Sequence, residues 1–289
     1  MKKLAILVGA IALTGSTFAQ EKQYLPESGD WAVGIDATPF LNYLGNFIGG
    51  NGTNTAPNWN FLTTNQTITG KYFASEDMAY RGSLRIGFGS NTERGMVGQT
   101  GAAAPTYPAL AAMVEDTYKS SFSNIGLAGG FEKRKGSGRL IGFYGAELGI
   151  AFGSSKEAYT YGNDIVAADG TIPATTDFMA MGGENLGLDT YGNDARITES
   201  KGGSMFGIGI RGFIGAEYFV LPKLSLGGEF GWGLGVMSAG ASSTTMESTD
   251  GSTVGTQTME GSKSSAFGLD TDFNNSVFGP AGSLRMTFH

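Results

Sequence analysis

Ten charged residues sit on one side of a period-two pattern: Asp36, Lys71, Arg81, Arg85, Glu132, Glu147, Arg211, Glu217, Glu229 and Arg285. Apart from Lys133 after Glu132, their immediate neighbours are apolar, aromatic or glycine, as with Leu84 and Ile86 around Arg85. Three kinds of chemistry use such a set. It can form structural ion pairs in a confined space, line a path for ions or protons, or supply a carboxylate pair for acid–base work. The two signs balance, and an unpaired buried charge costs several kcal/mol. The pattern therefore predicts a paired, structural plug.

Other chemistry is sparse. The only histidine is His289 and there is no cysteine, so the many serines have no evident base and no thiol nucleophile exists. Neither a catalytic residue nor a cofactor is expected. The tetrapeptide Tyr-Gly-Asn-Asp occurs at 161–164 and again at 191–194. Asp164 and Asp194 are the weak candidates for an oxygen-liganded cation such as Ca²⁺. Their spacing matches no Ca²⁺ loop, which favours a solvated turn.

The elements that must position these charges read as strands. Trp31, Val33 and Ile35 alternate with Ala32, Gly34 and Asp36, and Ile68, Gly70 and Tyr72 with Thr69 and Lys71. Similar runs follow around 80–88, 124–132, 140–152, 206–218, 224–234 and 278–288, each with bulky apolar residues on one parity and glycine or charge on the other. The connections alternate in length. Ser75 to Met78, Lys133 to Gly138 and Leu221 to Lys223 are short, whereas 41–66, 94–117, 155–203 and 238–272 are long.

Tight turns at one end and long loops at the other are the habit of outer-membrane barrels. The expected fold is an all-β, transmembrane, antiparallel up-and-down β-barrel of eight strands, with short periplasmic turns and long extracellular loops. Trp31, Tyr72, Tyr80, Phe131, Tyr218 and Phe288 then share one depth as membrane-interface aromatics. Phe88, Phe152, Phe206 and Phe278 form the opposite girdle. An eight-stranded barrel is only wide enough for side chains to fill it, which is why the charges must pair. Inward Phe73, Phe143, Phe213 and Phe219 leave open an apolar conduit or simple packing near the turns. A short helix is expected at 108–114, and a hairpin turn at Asp250-Gly251.

Composition agrees. Gly makes up 48 of 289 residues and hydrophobic residues only 40%, as suits strands that show lipid every second side chain. The 19 Lys and Arg stand against 26 Asp and Glu, which argues against nucleic acid as a partner. Residues 1–19 read as a secretory signal peptide: basic Lys2 and Lys3, an apolar run Leu4 to Leu13 broken only by Gly9, and small Thr17 and Ala19 before the cleavage point. Residues 20–289 are then the exported barrel domain.

The eight-run pattern, the hairpin Gly212 to Gly235 and the closing run Ser283-Leu-Arg-Met-Thr-Phe288 resemble the small OmpA/OmpX-type and related Bacteroidota-type outer-membrane β-barrel proteins. The resemblance covers essentially the whole exported chain. It implies integral residence in the outer membrane, with both ends periplasmic and contact with lipid and lipopolysaccharide. It also implies insertion by the barrel-assembly machinery, which reads an aromatic near the end of the last strand; here Phe288 is followed by His289. The expected function is non-enzymatic. The long loops would bind a partner outer-membrane protein or a surface ligand, possibly within a larger assembly. The alternative is a narrow pore or a transporter of small, possibly apolar, molecules.

Overall fold

The computed structural model describes residues 24–37, 68–136, 138–271 and 283–289, with the single positions 46 and 49. The predicted signal peptide, almost all of the predicted loop 41–66, and Phe278 lie outside them. The described chain is all-β. Its strands are β1 (Trp31–Asp36), β2 (Ile68–Ser75), β3 (Met78–Gly98), β4 (Met113–Lys135), β5 (Leu140–Thr160), β6 (Leu186–Leu188), β7 (Asp194–Lys201), β8 (Met205–Leu221), β9 (Leu224–Ala239), β10 (Ser243–Thr249), β11 (Val254–Glu260), β12 (Ser264–Thr271) and β13 (Ser283–Phe288). All thirteen belong to one antiparallel sheet that closes into a ring.

Closure follows the pairings. β1, β2, β3, β4 and β5 pair in turn, β5 pairs with β8, β8 with β9, β9 with β13, and β13 with β1. Closing a sheet on itself leaves no open edge along the paired stretch, so backbone groups there are satisfied within the wall. The three short connections become tight turns. Lys223, in the last, takes the left-handed conformation (φ 61°) that a two-residue hairpin demands.

Each strand has two unlike faces. On β3, β4, β8 and β9 the bulky apolar residues are exposed and the charged or small residues are buried, the reverse of a water-soluble sheet. Register aligns the exposed aromatics. Trp31 is opposite Tyr72, Tyr72 opposite Tyr80, and Tyr80 opposite Phe131. At the other limit Phe88 is opposite Ser123, Ser123 opposite Ser154, and Phe152 opposite Phe206, itself opposite Ser238. Beyond that level the outward residues turn polar, as with Ser90, Thr92 and Arg94 on β3.

The strands do not stop there. β3, β4 and β5 run for 21, 23 and 21 residues, and β7, β10 and β11 continue the sheet beside β5. Much of what the sequence suggested as loops in 94–117, 155–203 and 238–272 is therefore β-structure, forming an extension of the wall. The reason is physical. Just above the apolar band the outward residues are mostly polar, so the hydrophobic alternation ends while the hydrogen-bond ladder goes on. The helix expected at 108–114 is not formed, because Met113 and Val114 pair with Gly98 and Val97 in the β3–β4 ladder. β10 and β11 form the hairpin expected at Asp250-Gly251, with Asp250 Oδ1 accepting the N–H groups of Ser252 and Thr253 at 2.8 and 2.7 Å.

One line of irregularity separates ring from extension. Between Lys201 and Met205 the chain takes one residue more than β5 takes between Gly153 and Lys156. β7 and β8 are thus one line of chain with a bulge at 202–204. Beside it, β9 and β10 are interrupted at 240–242, and β11 and β12 at 261–263. Backbone hydrogen bonds tie the row together: Gly202 to Ser155 O, Gly240 to Ser204 O and Gly261 to Ser242 O, at 3.0, 2.9 and 2.8 Å. Glycine is needed here because a Cβ on Gly203 would overlap the carbonyl oxygen of Gly240.

Candidate functional site

The buried face of the ring carries a connected set of ion pairs. Glu132 accepts from Lys71 Nζ at 2.9 Å and from Arg134 Nη1 at 2.7 Å, and Arg134 also pairs with Glu217. Arg81 forks onto Glu229 at 3.0 and 3.2 Å while its Nε lies 3.1 Å from Glu147. Arg211 Nη1 bridges Glu147 and Glu229 at 2.9 and 2.8 Å, and Arg285 reaches Glu229 at 3.1 Å. Every one of these side chains except Arg285 is at most 9% exposed. Bidentate and shared contacts of this kind return much of the desolvation cost of burying charge.

Eight of the ten sequence-predicted charges are therefore brought together. Arg85 stands half-buried on the same face as Arg81, and the side chain of Asp36 lies outside the described ones, though its backbone is opposite Arg285. Arg134 joins them although the sequence reads 133–138 as a turn. Parity could have found it, since Arg134 follows Glu132 by two. Three of the inward phenylalanines pack on this network. Arg81 lies over the Phe213 ring at 4.1 Å, and Lys71 and Arg134 lie 5.0 Å from the rings of Phe143 and Phe73. His289 sits between Phe73 and Phe219, with a ring nitrogen 2.9 Å from Ser225 Oγ. A void of about 10 Å³ beside Lys71, Glu217 and Glu229 has room for about one water.

A second polar and aromatic cluster lies in the extension. No register shift interrupts β3, β4 or β5, so Asp116 and Tyr118 share the inward parity of Glu132, and Glu157 and Tyr159 that of Glu147. Phe178 is fully buried against Tyr118 and Tyr159, with ring centroids 5.7 and 6.1 Å away. Segment 161–185 thus covers the inward side of the extension. Buried Asp116 fastens it, accepting the N–H groups of Gly162 and Thr176 at 2.8 and 2.7 Å. Arg196 binds Glu247 at 2.6 Å and the carbonyl of Asn163 at 2.7 Å, over the ring of Tyr161. Burial, with the Glu157 carboxylate next to it, raises the phenol pKa values of Tyr118 and Tyr159; burial also raises that of Tyr161. These phenols stay neutral donors.

The repeated tetrapeptide works through its asparagines. Asn163 donates to Gly98 O and Ala174 O at 3.0 Å and accepts from Thr100 N at 2.8 Å. Asn193 donates to Asp189 at 3.0 Å. Asp164 and Asp194 are exposed, and among the described residues no three His, Asp or Glu side chains converge as a metal set. Asp189 also accepts from Ser248 at 2.8 Å and from the N–H groups of Tyr191 and Asn193, clamping the segment to β10.

No protein-family model, curated protein or solved structure matches this chain.

Proposed function

We propose that the ring is an eight-stranded transmembrane β-barrel of a Gram-negative outer membrane. On this reading the eight wall strands are β1, β2, β3, β4, β5, β8, β9 and β13, with β7 and β10 continuing the lines of β8 and β9. The barrel is a non-enzymatic scaffold, its turns are periplasmic, and its β-extension and loops bind a partner protein or surface ligand outside the cell. One observation carries the reading: on β3, β4 and β5 the outward residues form an apolar run between two aligned levels and turn polar just above it, while the strands run on. On β3 the band from Tyr80 to Phe88 spans about 27 Å along the strand, or about 21 Å at a tilt of roughly 40°. The apolar belt of such barrels is about 25 Å tall. A spanning strand needs only about 9–11 residues, so roughly half of β3 to β5 lies beyond the bilayer.

The interior supports a scaffold rather than a channel, because paired charges and phenylalanine rings occupy it. The exported chain is expected in the outer-membrane fraction, with at most very small conductance in planar bilayers. Large, reproducible single-channel steps would favour the pore reading. Replacing 161–200 and 243–260 by short turns should leave membrane insertion intact and abolish recovery of a partner in mild detergent. Equal recovery by the intact and shortened proteins would move the contact to the barrel wall or the periplasmic side.

A further inference from the structure

The far end of the β3–β4 hairpin has an unusual surface. From Gly95 to Val114 the chain carries no charged residue, in a protein with 19 basic and 26 acidic ones. The run is bounded by an exposed ion pair, Arg94 Nε to Glu115 Oε1 at 3.4 Å. Every residue from 98 to 113 is exposed, and Tyr107 and Leu110 are 96% and 93% exposed. Large exposed apolar surfaces on proteins mark contacts. The tip is also shaped in advance: Gln99 N–H donates to Ala112 O at 2.9 Å and Ala109 N–H to Thr106 O at 2.8 Å, while Asn163 grips Gly98 and Thr100 at its base.

We propose that this tip inserts into the leaflet of an apposed lipid surface. Two features select that occupant. A charged partner surface would lose its hydration against residues that offer no counter-charge. The tip is bare on both faces of the hairpin, and a groove on a protein covers one face whereas a lipid leaflet surrounds a peg. Proline, alanine, leucine and methionine suit the acyl boundary, and Tyr107 suits the headgroup level. The protein's own membrane is out of reach, because Gly98 lies about 33 Å along the strand beyond Phe88. The inference rests on the outer-membrane reading, since that reading fixes where the tip points.

The chain has no cysteine, so a single introduced one can carry an environment-sensitive fluorophore. The full-length protein in nanodiscs, labelled at Leu110→Cys, is titrated with phosphatidylcholine liposomes. The expected result is a blue shift and a several-fold gain in emission that high salt does not reduce. Tyr107→Asp in the labelled protein should weaken the apparent partitioning by roughly tenfold or more. Tyr191→Asp, at another exposed aromatic, should not. A silent label at position 110, or vesicle binding that salt abolishes, overturns the proposal. A label at Ile86→Cys tests the underlying reading separately. If that label reports lipid in the nanodisc while position 110 stays silent, only the tip proposal fails; if it reports water, the membrane reading falls as well.

Discussion

Arg81 and Glu229 face each other across the whole ring. Their strands, β3 and β9, are separated by β4, β5 and β8 in one direction and by β2, β1 and β13 in the other. The two guanidinium–carboxylate hydrogen bonds of 3.0 and 3.2 Å therefore tie opposite walls and exist only once the ring has closed. Glu229 also receives Arg211 and Arg285. Removing it leaves Arg81 and Arg211 to share Glu147 and takes a carboxylate from beside Arg285. Glu229→Ala should destabilise the ring by about 3–5 kcal/mol, as breaking a buried ion pair does. The double substitution Arg81→Met, Glu229→Leu should recover part of that loss. Urea titration followed by the gel mobility of the folded and unfolded protein measures both, and a neutral Glu229→Ala would mean that water, not protein, solvates these charges.

The clamp at Asp189 carries a pH dependence. Hydrogen bonds from the Asn193 side chain, then from Ser248 and the backbone N–H groups of Asn193 and Tyr191, lower its carboxyl pKa to about 2. A depressed folded-state pKa contributes stability that is complete above the unfolded value of about 4 and lost as pH falls toward about 2. Amide exchange at 189–193 and in β10 should therefore accelerate between those limits, and Asp189→Asn should flatten the response. Acceleration spread evenly over the ring would assign the effect to global unfolding instead.

Phe178 should hold segment 161–185 against the extension with little bearing on the ring. Phe178→Ala removes a fully buried ring from between Tyr118 and Tyr159, a change worth about 3–5 kcal/mol in a packed core. The expected signature is rapid protease cleavage within 161–185, with heat-induced unfolding of the ring unchanged. A lowered transition of the ring would show that the segment also supports the wall.

Gly203→Ala tests the bulged row. The added Cβ must displace the Gly240 carbonyl, so the 202–204 and 240–242 crossings cannot both keep their geometry. We expect faster amide exchange in β7, β10 and β11, and unchanged protection of β3 and β4, which cross this level without a bulge. Unaltered exchange in β7 would mean that the row relaxes cheaply and does not set the direction of the extension.

The sequence by itself determined the local order of this protein. Every predicted run within the described residues falls inside a strand, and the parity of Lys71, Arg81, Glu132, Glu147, Arg211, Glu217 and Glu229 marks the face on which they meet. Period-two alternation is legible because each residue of a strand must choose between an apolar and a polar surround, and in the ring those surrounds differ sharply. Only the tertiary structure decided which charges pair. Arg81 with Glu229 and Lys71 with Glu217 join strands distant in sequence, a choice made by ring closure that no spacing encodes. It also decided where the strands end. Just above the apolar band the outward residues turn polar, the hydrophobic alternation fades, and chain that reads as loop is held in the sheet by backbone hydrogen bonds that depend little on residue type. The place of Phe178 beneath Asp116, Tyr118 and Tyr159 left no trace in the sequence, because a single aromatic in a polar stretch acquires its partner only when the chain folds back.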